Sequence, residues 1–322
     1  MHGPAEQLPF ETMRDREVAT CSGRRLGRRT FVERCPNRPV RLILALVIFA
    51  ITGTVSAGWG EPASAAAPTE PRTLAALGDS YSSGEGTPPF DTVDPRCRHS
   101  AQAWPRLLTT LDPSISIDVF AACAGATTEA LTSPFRGELP QITQLREASP
   151  APDVVTITIG GNDAGFSRVI VSCYTWKCFW TGNDKYERDY VSKDLPDLLV
   201  ASYKAMKVAA PDSRILVVGY PSIIPSSQSK NTCRWLSNSE RSQLTRLNSL
   251  LNQVIRQSAT KAGVEYVSTD RALRGHELCT KDSWVAPISV FAPARDLSAH
   301  PNADGQLAIA KTVSRYLDAH DR

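Results

Sequence analysis

The chain has 322 residues, with 36 Lys+Arg, 33 Asp+Glu and eight cysteines, and 42% of its residues are hydrophobic. That apolar content excludes a disordered chain, and eight cysteines are too few to hold a chain of this length without a core. The net charge of +3 is unevenly placed, because the nine arginines from Arg14 to Arg41 all lie in the first 65 residues, beside six acidic groups.

From the amino terminus, an apolar run follows Arg41 from Leu42 to Ile51, loosely extended to Val55, and Ala63-Ser64-Ala65 comes after Pro62. A basic segment, a short apolar core and a small-x-small site predict a secretory signal peptide over 1–65, cleaved near Ala65, and hence an extracellular product. The run falls short of the roughly 20 apolar residues a spanning helix needs, so no stable membrane anchor is expected after cleavage. The basic segment is long; Met13 is an alternative start, and Arg28-Arg29 has a twin-arginine flavour. Beyond residue 65, 36 less nine and 33 less six leave 27 charges of each sign. That balance removes the electrostatic footprint of a nucleic-acid binder.

Residues 66–322 read as one domain. Predicted strands lie at 73–77, 115–120, 154–159, 214–219 and 264–267, each a short apolar run and the third β-branched throughout. Predicted helices lie between and after them, at 101–111, 138–148 and 189–210. Two more follow from the stripes Leu244, Leu247, Leu251, Val254, Ile255 and Leu307, Ala310, Val313, Leu317, the second capped by Asn302. Continuous apolar strands alternating with helices predict a parallel sheet covered on both faces. The stretch 164–190 breaks the alternation. It shows no clear periodicity and carries Phe166, Tyr174, Trp176, Phe179, Trp180 and Tyr186, which reads equally as a flap over an apolar site or as a satellite core.

Cys21 and Cys35 fall in the leader, and six cysteines remain. An even set in an exported chain predicts disulfides. Pairing neighbours (Cys97–Cys123, Cys173–Cys178 and Cys233–Cys279) closes the shortest loops. Neither C-x-x-C nor H-E-x-x-H occurs, so no metal or other cofactor is expected.

The chemistry gathers where strands end. The first strand runs into Gly78-Asp79-Ser80, the second into Cys123-Ala124-Gly125 and the third into Gly160-Gly161-Asn162-Asp163. In an open parallel sheet, ligands bind beyond the carboxyl ends of the strands, so Ser80, Gly125 and Asn162 should converge. Ser80 is a candidate nucleophile. Its own N–H, the Gly125 N–H and the Asn162 amide are candidate oxyanion donors. Each has an ordinary reading as a turn or loop residue. Asp79 is placed to anchor the turn through local backbone N–H groups. A serine nucleophile needs a base, and elimination among His99, His276, His300 and His320 leaves His300, just before the last helix.

These blocks, in this order and ending in His300-Pro301-Asn302, resemble the SGNH hydrolases, or GDSL lipases and esterases, across nearly all of 66–322. The six cysteines and single exported domain resemble the secreted actinobacterial lipase/esterase branch. No G-x-S-x-G is present, which separates the chain from the α/β-hydrolases. The resemblance implies a flavodoxin-like three-layer α/β/α fold on a parallel five-stranded sheet, and a serine esterase or lipase acting on small-molecule or lipid esters. It assigns Ser80 and His300 as catalytic pair, and Ser80, Gly125 and Asn162 as oxyanion hole. A polysaccharide or small-molecule deacetylase on the same scaffold and a non-catalytic binding protein are the competing readings. Nothing in the sequence demands more than a monomer. The family's Asp-x-x-His pattern puts Leu297 where the carboxylate belongs, with Asp296 one residue earlier. The group that orients His300 is therefore the Leu297 backbone carbonyl or Asp296. Tyr81 and Phe166 flank the motifs as possible acyl-pocket residues.

Overall fold

The computed structural model describes residues 71–93, 95–175, 178, 184–225, 233 and 235–320. The expected signal peptide and cleavage site lie outside the described residues, as do Trp176, Phe179 and Trp180.

Five strands form one sheet: β1 (Arg72–Gly78), β2 (Ile115–Phe120), β3 (Val154–Thr158), β4 (Arg214–Val218) and β5 (Glu265–Val267). Every neighbouring pair is parallel, in the order β2-β1-β3-β4-β5. This is the expected five-stranded parallel sheet. The order reverses between β1 and β3, and that switch point is where open α/β sheets hold ligands.

Alternation along each strand explains the layers. Ala75, Leu77, Val155, Ile157, Ile215 and Val217 face one way and pack with residues of α3 (Gln141–Glu147), α6 (Leu195–Ala209) and α7 (Asn238–Ala262). Leu74, Ala76, Leu216 and Val218 face the other way, against Trp104 and Leu108 of α2 (Trp104–Leu111) and Ile309, Val313 and Leu317 of α9 (Ala303–His320). Both faces are therefore apolar, which is why the strands read as continuous hydrophobic runs.

Local chemistry sets the helix ends. α7 opens with a reciprocal capping box between Ser237 and Glu240 and stops at Gly263 in the left-handed conformation. The Asn302 side chain accepts the Gly305 N–H at 3.1 Å and so caps α9. The predicted helix over 189–210 is broken. α5 (Asp184–Lys193) ends before Asp194, and α6 restarts with Pro196 in its first turn. Proline has no N–H for the carbonyl four residues back, so it interrupts a continuous ladder.

The aperiodic stretch 164–190 also differs from expectation, since it contains α4 (Phe166–Thr175) and the start of α5. Val169, Ile170 and Cys173 make a buried helical stripe too short to register as periodicity. They join a third cluster with Ile223, Ile224, Leu244, Leu273 and Leu278. α4 thus belongs to a satellite core, with Phe166 at its start lining the cleft, while Ala164 and Tyr190 pack with the main core. Disulfides join Cys97 to Cys123, Cys173 to Cys178 and Cys233 to Cys279.

Candidate active site

The turn after β1 carries Ser80. Gly78 ends the strand at φ +121°, and a Cβ there would lie 2.3 Å from the Thr158 carbonyl oxygen, so only glycine lets β1 turn this close to β3. The buried Gln141 side chain brackets Gly78 by accepting its N–H at 2.8 Å and donating to its carbonyl at 2.9 Å. Asp79 then caps the single turn α1 (Ser80–Ser83) by accepting the Tyr81 N–H at 3.0 Å. This is the local backbone bond anticipated for it.

A second acceptor bond on Asp79 was not signalled by the motif. Tyr220, two residues beyond β4, donates its hydroxyl to the other Asp79 oxygen. The same hydroxyl accepts the Gly161 N–H at 2.8 Å. One phenol therefore ties the Ser80 turn to the turn after β3. Asp79 is fully buried in this network, and burial pushes its pKa up to about 7 even though the Tyr220 and Tyr81 hydrogen bonds favour the carboxylate.

Ser80 is 5% exposed, and its hydroxyl lies 2.8 Å from His300 Nε2. The His300 side chain is only 12% exposed, and this shielding lowers its pKa, while Glu85 and neighbouring backbone carbonyls act in the opposite direction. Its backbone is held on both sides. The His300 N–H donates to the Leu297 carbonyl at 3.2 Å, and the His300 carbonyl accepts the Ala286 N–H at 2.9 Å. Tyr81 reaches across to donate its phenol to the Ala299 carbonyl at 2.9 Å, and its ring sits 5.5 Å from the imidazole.

The Nδ1 side of His300 is unusual. Nδ1 is buried and makes no hydrogen bond. The Leu297 and Ser298 carbonyls favour the protonated ring without reaching hydrogen-bond geometry at that atom. Asp296, on the single turn α8 (Ala294–Leu297), does not point at the imidazole. Its carboxylate is engaged by Arg98 at 2.7 Å and Arg295 at 3.3 Å. Ser298 was not singled out from the sequence, because a carbonyl leaves no trace in residue type.

The other two blocks arrive from neighbouring turns. The Asn162 side chain donates to the Ala126 carbonyl at 2.9 Å, which joins the turns after β2 and β3. Gly125 immediately precedes that carbonyl. Among the described residues, the N–H groups of Ser80 and Gly125 make no hydrogen bond within the protein. Asp163 accepts both the N–H and hydroxyl of Thr128, fixing a short 3-10 turn over Thr128–Leu131.

A narrow cleft of about 20 Å³, room for one water-sized group, opens at Ser80 and His300. Tyr81, Asn162 and Phe166 line it, together with Ser167, Tyr220, Asn248 and Leu251. Asn248 on α7 is 6% exposed, and its side-chain amide makes no hydrogen bond among the described residues. It sits within an apolar helical stripe, so nothing in the local sequence marks it.

A parallel α/β sheet with a serine–histidine pair at its switch point, beside unengaged N–H groups and an amide, defines a serine-hydrolase type of architecture. The chain belongs to the GDSL-like lipase/acylhydrolase family, whose pattern it matches over residues 76–308, and is thus a carboxylic ester hydrolase. It is 31% identical over 258 residues to Lipase 1 of Streptomyces coelicolor, covering 80% of this chain and 88% of that protein. It is also 31% identical over 250 residues to a lipase of Streptomyces rimosus, covering 77% and 88%. Among solved structures, the extracellular lipase of Streptomyces rimosus superposes with a TM-score of 0.65 at 29% identity, over 74% of this chain and 98% of that one. Phospholipase A1 of Streptomyces albidoflavus NA297 gives 0.64 at 30% identity with the same coverage. No described helix is long and apolar enough to cross a membrane.

Proposed function

We propose that the chain is exported and hydrolyses carboxylic esters through an acyl-enzyme on Ser80. The observation that carries this reading is the 2.8 Å contact between Ser80 Oγ and His300 Nε2 at the carboxyl ends of β1 and its neighbours. His300 Nε2 takes the hydroxyl proton as Oγ attacks the ester carbonyl. The negative charge on the tetrahedral oxygen is met by the Ser80 N–H, the Gly125 N–H and the Asn162 amide. His300 returns the proton to the leaving alcohol as the C–O bond breaks. A water molecule then repeats the cycle, releasing the acid and restoring Ser80. The backbone bonds that hold the His300 segment to Leu297 and Ala286 orient the ring, and Tyr81 and Phe166 border the acyl group. Residues 1–65 are removed on export, and the enzyme acts as a monomer on small-molecule or lipid esters without a cofactor.

A second reading, removal of short acyl groups such as acetyl, is favoured by the narrowness of the cleft and its buried Asn248. A series of p-nitrophenyl esters of rising acyl length decides between them. Rates that climb with chain length support a lipase; a collapse beyond acetyl supports a deacetylase. A reactive phosphonate should label the wild type and not Ser80→Ala, and labelling of neither protein refutes the Ser80 mechanism.

A further inference from the structure

We propose that Glu85 and Arg98 form a charge pair that tunes His300 from its Nε2 side, in place of a carboxylate on Nδ1. The inference rests on Ser80 and His300 being the reacting pair. Glu85 is 8% exposed. One of its oxygens lies 3.5 Å from His300 Nε2 and the other 3.2 Å from Arg98 Nε. Arg98 in turn holds Asp296 at 2.7 Å. The acidic residue nearest the Asp-x-x-His position therefore reaches His300 only through two intervening side chains.

The pair is fixed from several directions. The Glu85 N–H donates to the Ser80 carbonyl at 3.1 Å, so its backbone is tied to the nucleophile's own turn. Gly86 lies against the chain beside His300, where a Cβ would sit 2.1 Å from the Pro301 carbonyl oxygen. Arg98 follows Cys97, which is bridged to Cys123, and its guanidinium also covers the Phe90 ring at 5.4 Å. Neither side chain is free to swing away.

The chemistry gives each charge a purpose. When His300 takes the Ser80 proton it becomes a cation largely shielded from water, which desolvation opposes. In a Ser-His-Asp triad, a carboxylate on the far nitrogen offsets that. Here Nδ1 meets only neutral carbonyls, and the nearest carboxylate is Glu85 on the reacting side. A lone buried carboxylate there would hold His300 protonated at rest and disable it as a base. Arg98 tempers that field, and Asp296 keeps Arg98 aimed. Asp79 and Tyr81 of the nucleophile turn share the cleft with the ring, Arg295 of α8 is turned to Asp296, and Asp304 of α9 is exposed. The charged groups that act on His300 are Glu85, which favours the imidazolium, and Arg98, which opposes it.

The experiment compares pH–rate profiles of wild type, Glu85→Gln, Glu85→Asp and Arg98→Gln on one soluble ester, with folded sites counted by phosphonate titration. Loss of the Glu85 charge should move the acidic limb to lower pH and reduce kcat on its plateau about tenfold. Glu85→Asp should recover part of both effects. Loss of the Arg98 charge should move the limb to higher pH. An unmoved limb in Glu85→Gln overturns the proposal, as does a shift of the same sign in both charge-removing variants. If Glu85→Gln does not fold, Arg98→Gln decides by itself: an upward shift supports the pair, and no shift or a downward one overturns it. If the wild type resists the phosphonate or Ser80→Ala keeps its activity, the underlying Ser80 reading has failed instead.

Discussion

Tyr220→Phe removes one oxygen atom from the centre of the site, and its cost can be worked out from the contacts. The ring should stay in place. The Tyr220 backbone is held by Asn252, which accepts its N–H at 2.9 Å and donates to its carbonyl at 2.7 Å, and the edge contact with Tyr81 at 5.1 Å survives. Two bonds are lost. The buried Gly161 N–H loses its acceptor, at about 1–3 kcal/mol. Asp79 loses a donor, and that loss depends on pH because the Asp79 pKa lies near 7. Asp79 is an acid whose folded pKa is raised above the ordinary carboxylate value of 3.8. The stability linked to its burial is therefore complete below about pH 4 and is lost as pH rises through 7. At pH 5 it is protonated in both proteins, and the variant should lose about 1–3 kcal/mol. At pH 8 the carboxylate has also lost a charge-assisted bond; because the variant can take up a proton instead, the added loss is limited to about 1.4 kcal/mol, and the total should reach about 2–4 kcal/mol. Urea unfolding of both proteins at the two pH values measures the difference. A loss that is equal at both, or below 1 kcal/mol at pH 8, would refute the coupling of Asp79 to Tyr220.

Three further outcomes follow from the same geometry. Asn162→Ala should lower kcat by about 10²–10³ with little change in KM, as one oxyanion donor does; a change under about threefold on the p-nitrophenyl esters would remove Asn162 from the hole. Asp296→Ala should leave turnover within about threefold, because its carboxylate is held by Arg98; a fall approaching the roughly 10⁴ that follows loss of a triad carboxylate's function would reinstate it as the third member. Asn248→Leu replaces an amide that lines the cleft without a protein partner by an apolar group of similar size, so activity on longer acyl esters should rise relative to acetyl; an unchanged chain-length profile would place Asn248 outside the acyl path.

The fold was legible because its strands are buried on both faces. The run at 154–159 and the alternating Leu74, Ala75, Ala76 and Leu77 carry the pattern of a central parallel strand whatever the helices do. Elements went unread where their signal was short or interrupted. α4 offers three stripe positions before it ends, and Pro196 divides what looked like one helix. For the site, the placement of Ser80, Gly125 and Asn162 came from a positional rule about strand ends, and Tyr220 falls under that rule too, since it follows the fourth strand. Glu85, Arg98 and Gln141 had no such guide. Each contributes through one long side chain crossing to a distant segment, and residue type alone does not say which crossing it makes.

The four turns at the carboxyl edge are held to one another mainly by polar side chains rather than by the apolar layers beneath them. Gln141 grips Gly78, Tyr220 joins Asp79 to Gly161, Asn162 reaches the Ala126 carbonyl, and Asp163 holds Thr128. Buried bonds of this kind are costly to break singly, so the turns should shift together or not at all. The same logic extends to His300. Its segment is tied by the Ala286, Leu297 and Tyr81 bonds before any side chain touches its ring. In a triad, the carboxylate both orients the imidazole and stabilises its charge. In the arrangement proposed above, the backbone supplies orientation and Glu85, tempered by Arg98, supplies charge. On this reading, leucine at 297 is tolerated because the two tasks of the absent aspartate have been divided between the main chain and a carboxylate on the other side of the ring.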